Sequence, residues 1–453
     1  MNTVDVSVVG GLVYVDGELR ECTLGVTDGT ISHMVDPGRD LDANREIDAT
    51  GMFVLPGCVD AHVHIRPGDE REGVDSGTSA AAAGGVTTVI DMPNFPPTAT
   101  EPDRWAELAS KYNGKAHVDY GIFGHVSTDN IGTTDIASLA EAGALAFKAF
   151  MSVGGGPGPY SIPDSGDLLT AFEAVAGTGR PLWVHSEDDE LHVEYIDRSE
   201  KKGLTGFDAF FKSAPPILER AAVSEVIELA RETDVTTVIA HTTTATALDL
   251  IHDANANGVP IYAEVSPYHL GIDQEQVRDI GTKALGTPPV RDTENRMALW
   301  DRLNAGKVDT LGTDHAPRTL EEKNRPPIEA GPGMPQLETA LPFMLSAANE
   351  DRTKVETVVT TYSEMPAKLL GLYPKKGSLH LGTDADFVLV DPDDPWTVDP
   401  KQFESRARYS PFEGREFSAK IAQTFLRGQE VARDMQALDV TPGQLVDHPS
   451  PEV

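Results

Sequence analysis

Six side chains in this sequence are of types that hold metal ions or move protons, and each stands in or at the end of a short apolar run. They are His62 and His64 in AHVHIR, Lys148 in AFKAFMS, His185 in LWVHSE, His241 in VIAHTT and Asp314 in LGTDHAP. Alternate residues of a strand point the same way, so a His-x-His pair can bring two imidazoles to one cation. Alone, such a pair is as well explained as a polar strand end. Six candidates at five strand ends are not. Their number suits two divalent cations, with His62, His64 and Asp314 for one and His185 and His241 for the other. A lysine ammonium has no lone pair to give. Buried beside cations its pKa falls, and the neutral amine can take up CO2 to form a carbamate, an oxygen ligand able to bridge two metals. The plainer use of Lys148 is a buried salt bridge. Two such cations would activate a water and polarise a carbonyl. Asp314 would take the proton and pass it on to a leaving nitrogen.

These residues need a scaffold that gathers strand ends at one mouth. Between residues 53 and 314 there are eight strand-like runs: 53–60, 86–93, 117–124, 144–151, 181–187, 235–241, 261–267 and 309–314. Helical patterns fit between them at 75–84, 102–112, 134–142, 166–176, 219–232, 244–257 and 292–305. The alternation predicts an α/β protein, a (β/α)8 barrel with its chemistry at the C-terminal strand ends. Residues 1–55 read as short strands broken by Gly and Asp, and 372–436 return to strands. The expected organisation is a barrel over 56–371 and a β-sandwich module built from 1–55 and 372–436. Residues 437–453 read as a loose tail. The AAAAGG run at 80–85 suits close packing of a helix. GGGPGP at 154–159 and RTLEEKNRPPIEAGPG at 318–333 suit mobile loops near the mouth.

Composition narrows the partners. The 453 residues carry 37 Lys+Arg against 72 Asp+Glu, a net charge of −35, with 40% hydrophobic residues. That apolar content supports a large core, and the charge argues against nucleic acid or an anionic membrane as partner. The acidity is spread along the chain, which fits a carboxylate-coated surface adapted to a salty cytoplasm. Two cysteines, Cys22 and Cys58, exclude a disulfide framework. No apolar run is long enough to cross a membrane, and the start lacks the basic and apolar regions of a signal peptide. A cytoplasmic protein is expected.

The motifs VDAHVHIRPG, AAAAGGVTTVIDMPN, FKAFMS, VHSED, AHTTTATALDLI, TDHAPRTLEEK, LETALPFML and ARYSPFEG, in this order from about residue 5 to 435, together resemble the cyclic amidohydrolases: dihydroorotase, allantoinase and the hydantoinases. The resemblance implies the barrel with a composite β-module, two metal ions, usually zinc, and a carboxylated lysine. It places the ligands on His62, His64, Lys148, His185, His241 and Asp314, with Asp314 also the acid/base. It also implies a small cyclic amide as substrate and a homodimer or homotetramer. Dihydroorotases pair an arginine two residues after His-x-His with an asparagine in MPN, here Arg66 and Asn94, to hold a substrate carboxylate. Dihydroorotase, acting reversibly between dihydroorotate and carbamoyl-aspartate, is therefore the first expectation. Three departures keep allantoinase or hydantoinase open: IRPGDE is one residue short, Thr287 stands for an asparagine, and Arg318 for a histidine. Arg318 could still hold a carboxylate. Tyr268 and His269 are expected to line the pocket, and His315 to orient its loop. A scaffold relative without activity would lack a ligand, and none is missing here.

Overall fold

A computed structural model describes residues 3–39, 41–94, 96, 98–152 and 160–448. The glycine-rich loop expected at 154–159 lies outside the described residues. Eight parallel strands form the barrel: Cys58–Val63, Val86–Asp91, Asp119–Ile122, Phe147–Phe150, Leu182–His185, Thr237–Ile239, Ile261–Val265 and Thr310–Leu311. The third continues into Gly124–His125, which pairs with the fourth. Neighbours pair in parallel from the first strand to the last. The ring closes where Val63 bridges His315 and the His64 amide donates to the His315 carbonyl at 2.8 Å. Strands buried on both faces read as continuous apolar runs, which is why they were visible in the sequence.

Helices Val74–Ala83, Pro102–Ser110, Asp135–Ala142, Ser165–Ala176, Ile217–Thr233, Ala245–Ala256, Thr293–Asn304 and Leu337–Asn349 cover the outside. Two more, Asp189–Lys201 and Gly206–Ser213, are inserted after the fifth strand. The first of these, DELHVEYIDRSEK, is largely polar and gave no clear apolar period. Gly84 packs against the start of helix Leu337–Asn349: a Cβ there would stand 2.0 Å from the Leu337 carbonyl oxygen.

The run at 53–60 divides in two. Phe53–Pro56 pairs with Leu12–Val15 and Phe387–Asp391 in a seven-stranded sheet of the β-module, and only Cys58–Val63 enters the barrel. Gly57 is the hinge, because any side chain there would collide with Thr87: a Cβ would lie 2.1 Å from the Thr87 Oγ1. A four-stranded sheet, Thr30–Val35, Thr23–Thr27, Val4–Val9 and Ala43–Asp48, faces the first. Val8, Leu24, Val26 and Ile31 meet Val13, Val54, Phe387 and Phe425 between the two sheets. Strands from both chain ends therefore share one core.

Lys376 ties this module to the barrel floor. Its Nζ lies 2.5 Å from Asp119, which opens the third barrel strand, and 2.8 Å from both Asp384 and Asp386. Within the stretch 437–453, expected to be loose, the described residues up to 448 are pinned as well. Gly443 donates to Ala116, and Tyr120 exchanges hydrogen bonds with Gln444 and Val446. Those bonds are made by backbone groups, which leave no mark in side-chain patterning.

Candidate active site

All six residues singled out for metal chemistry stand at the C-terminal end of the barrel. His62 ends the first strand and His64 follows it; Lys148 lies in the fourth, and His185 closes the fifth. His241 and Asp314 follow the sixth and eighth strands. Short turns fix two of them. Asp188, three residues after His185, accepts from the Leu191 amide at the next helix, and Thr244, three after His241, accepts from Ala247. Each such cap is worth about 1 kcal/mol. Arg66, His241 and Asp314 have φ of 52°, 35° and 49°. Left-handed backbone at a non-glycine residue costs of order 1–3 kcal/mol and persists only when its surroundings impose it. Three such residues meet at one mouth.

His62, His64 and Asp314 offer ligand atoms within 4.8 Å of one another. Asp314 Oδ1 lies 3.2 Å from His64 Nε2 and 3.5 Å from His62 Nε2. Next to this group, His185 Nδ1 and His241 Nε2 converge to 2.9 Å. The His62 and His241 ring centres are 5.2 Å apart, so the four imidazoles form one cluster. Lys148 is fully buried, and its Nζ has no hydrogen-bond partner among the described residues. Burial pushes its pKa down to about 8 against the pull of Glu264 and Asp314. Burial also lowers His64 to about 4 and pushes His241 well below the usual imidazole range. Burial alone would raise Asp314, but the His64 hydrogen bond and the nearby His62, His64 and Lys148 outweigh it and keep the carboxyl low.

This donor set fits two divalent ions. His64 and His241 favour their neutral, ligating form, Asp314 its ionised form, and an orphaned lysine nitrogen sits beside them. A buried ammonium without a partner is costly, whereas a carbamate on that nitrogen would supply ligand oxygens.

Residues not anticipated from sequence hold the ligands in place. Glu264 accepts from His62 Nδ1 at 2.6 Å, from the His241 amide at 2.9 Å and from Trp183 Nε1 at 2.9 Å. Glu187 lies 3.2 Å from His185 Nε2. Asp60 joins the barrel seam by accepting from the amides of His62 and Thr313 and from the Tyr362 hydroxyl. Such partners fix ring orientation and tautomer. Their sequence signal was a lone carboxylate inside an apolar run, as in IYAEV.

A cavity of about 180 Å³ opens over the cluster, lined by His62, His64, Arg66, Asn94, His185, His241, Thr287, Asp314 and Arg318 among others. Arg66 is buried there, and the one hydrogen bond of its guanidinium among the described residues goes to the Pro317 carbonyl. Burial, with Arg318 and Arg71 nearby, lowers its pKa to about 10, so it stays charged at neutral pH. Arg318 Nε donates to the Pro332 carbonyl at 2.9 Å. Asn94 Oδ1 lies 2.9 Å from His64 Nδ1, so this residue orients a ligand as well as facing the cavity. His269 is not one of the cavity's wall residues. It is buried against Tyr268, ring centres 4.0 Å apart, and burial lowers its pKa to about 3. His315 faces away from the metal cluster and bonds Glu72 at 3.2 Å.

Barrel, strand-end ligands and orphaned lysine together define a metal-dependent hydrolase site. A model of the amidohydrolase family matches residues 53–431, and the chain belongs to that family, as a hydrolase of carbon–nitrogen bonds. It is similar to a dihydroorotase of Halobacterium salinarum, 36% identical over 429 residues covering 94% of this chain and 96% of the relative. An allantoinase of Desulfitobacterium hafniense is 34% identical over 434 residues, 94% of each chain. Among solved structures, an L-hydantoinase (dihydropyrimidinase) from Arthrobacter aurescens superposes with a TM-score of 0.95 at 32% identity, covering 98% of this chain and all of that one.

Proposed function

We propose that this enzyme opens and closes the ring of a cyclic amide, with dihydroorotate and carbamoyl-aspartate as the first pair to test. The observation that carries the carboxylate-bearing substrate is Arg66: a buried, charged guanidinium in the wall of the ligand cavity, with no acidic partner of its own among the described residues. A planar guanidinium fork suits a carboxylate, and Arg318 in the same wall can serve as its neighbour. Two divalent ions, zinc first, would be held by His62, His64 and Asp314 and by His185 and His241, with Lys148 as a further ligand once carboxylated, and would supply an activated water and a polarised ring carbonyl. Asp314 accepts the proton of the attacking water and delivers it to the leaving ring nitrogen. Its lowered pKa keeps the carboxylate ionised, and so open to a proton, at the start of that shuttle. Glu264, Glu187 and Asn94 hold the His62, His185 and His64 rings in place throughout.

A second reading, an uncharged ring such as allantoin or a hydantoin, is supported by two observations. Asn94 is engaged by His64, and Thr287 stands in the cavity wall. The likeness to an L-hydantoinase adds to it.

A substrate panel tests the choice. Chelated protein is restored with zinc and assayed on dihydroorotate, allantoin and hydantoin in high salt. The carboxylate reading expects the highest kcat/KM for dihydroorotate, and Arg66→Ala should lose about 2–5 kcal/mol of it while sparing hydantoin. Equal loss on all three rings would reject Arg66 as the clamp.

A further inference from the structure

Glu72 lies on the segment after the first barrel strand and is completely buried. Four donors converge on it. His315 Nε2 reaches Oε2 at 3.2 Å, the Ser405 and Ser76 hydroxyls bond one oxygen each, and the Arg406 amide reaches Oε1 at 3.3 Å. Three distant stretches of chain are thus joined at one carboxylate.

The other nitrogen of His315 is also used. Its Nδ1 accepts from the amides of Gln336 and Leu337 at 3.1 and 3.3 Å. Two N–H groups on Nδ1 leave the ring proton on Nε2, aimed at Glu72, so the imidazole has one tautomer and one orientation. The backbone of His315 is held too: its carbonyl accepts from the His64 amide and its amide donates to Thr313 Oγ1. Asp314 is the residue between these anchors, and its φ of 49° is one that a non-glycine residue leaves when released.

We propose that Glu72 is a positioning residue for Asp314, acting through His315: it locks the His315 ring and so keeps the Asp314 backbone in the conformation that points its carboxylate at His62 and His64. This rests on the reading that Asp314 carries the proton in ring opening. Partners of this kind typically affect activity 10–100-fold.

The test uses the full-length, zinc-restored enzyme on a ring amide that the wild type turns over. Glu72→Met removes the acceptor while roughly keeping volume; Glu72→Gln keeps one carbonyl oxygen for His315. Glu72→Met should lower kcat about 10–100-fold, with KM within twofold and bound metal unchanged, and Glu72→Gln should recover most of the loss. Should Glu72→Met not fold, His315→Met cuts the same bond from the other side and carries the same expectation. A kcat within threefold of wild type, or a loss that tracks loss of bound metal, would overturn the proposal. A crystal structure of the variant adds a readout independent of turnover: Asp314 is expected to leave positive φ, and a retained φ near 49° would also overturn it. A wild type that opens no ring amide would instead strike the ring-opening reading, and this proposal with it.

Discussion

Among the described residues, two clusters satisfy the same geometric condition for holding a metal. One is His62, His64 and Asp314 at the barrel mouth; the other is Asp119, Asp384 and Asp386 at its floor. Each has a buried lysine beside it, and the lysines differ. At the floor, Lys376 bonds all three carboxylates, and Arg427 adds a second cation to Asp119. Burial opposes the charge of Lys376, but Asp386, Asp119 and Asp384 outweigh it and raise its pKa. At the mouth, Lys148 has no hydrogen-bond partner among the described residues and its pKa falls to about 8. The floor cluster already contains its cation and works as a latch between barrel and β-module. The mouth cluster has donors turned inward and a lysine whose burial shifts it toward the neutral amine. Three ligating groups in proximity do not define a metal site; what else fills the space between them does.

Substitutions should separate the two clusters. The largest effect on activity is expected at the mouth: Asp314→Asn should lower kcat about 10²–10⁴-fold with the fold intact by circular dichroism. Next is stability at the floor. Lys376→Met strands buried carboxylates and should cost about 3–5 kcal/mol, read by denaturant unfolding, with activity per folded molecule unchanged. Lys148→Met in metal-free protein should do the reverse, leaving stability unchanged or higher by about 1–4 kcal/mol while removing metal-restored activity. A Lys148→Met protein as damaged as Lys376→Met would erase the contrast.

Alkaline titration of the metal-free protein sharpens the comparison further. For Lys148 the folded pKa of about 8 lies below the ordinary 10.5. Between those values the unfolded chain binds more protons, so this group makes stability rise with pH. For Lys376 the folded pKa is raised, so its contribution is full below the ordinary lysine range and is lost only above it. Unfolding free energies between about pH 8 and 10 in wild type and Lys148→Met should therefore differ in slope, and equal slopes would deny the depressed amine. The smallest effect is diffuse. With 72 acidic against 37 basic residues, stability should rise from low to multimolar KCl as self-repulsion is screened. A flat salt dependence would remove the halophilic reading.

The mouth was legible in the sequence because its ligands are polar residues within or just after continuous apolar runs. His62, His64, Lys148, His185, His241 and Asp314 each interrupt a pattern, and the alternation of strands and helices says where such interruptions gather. The floor latch was not legible. Lys376 and Asp119 are 257 residues apart, and an ion pair of that span leaves no periodic trace. Glu264 and Asp60 could have been found as lone charges within strands. Glu72 could not, since a glutamate in DEREG reads as surface until the barrel closes over it. The split of the 53–60 run at Gly57 was hidden for a similar reason: both halves are apolar strands, and only tertiary pairing assigns them to different sheets.

The central claim is that the mouth works through two metal ions that depend on Lys148. The most direct measurement is a zinc titration of chelated protein in bicarbonate buffer, following ring opening and bound metal together. Activity should be absent at the start and rise to a plateau at two equivalents per chain in the wild type, with neither plateau nor second equivalent in Lys148→Ala. Full ring-opening activity in the chelated protein, or an unaltered plateau in Lys148→Ala, would contradict it.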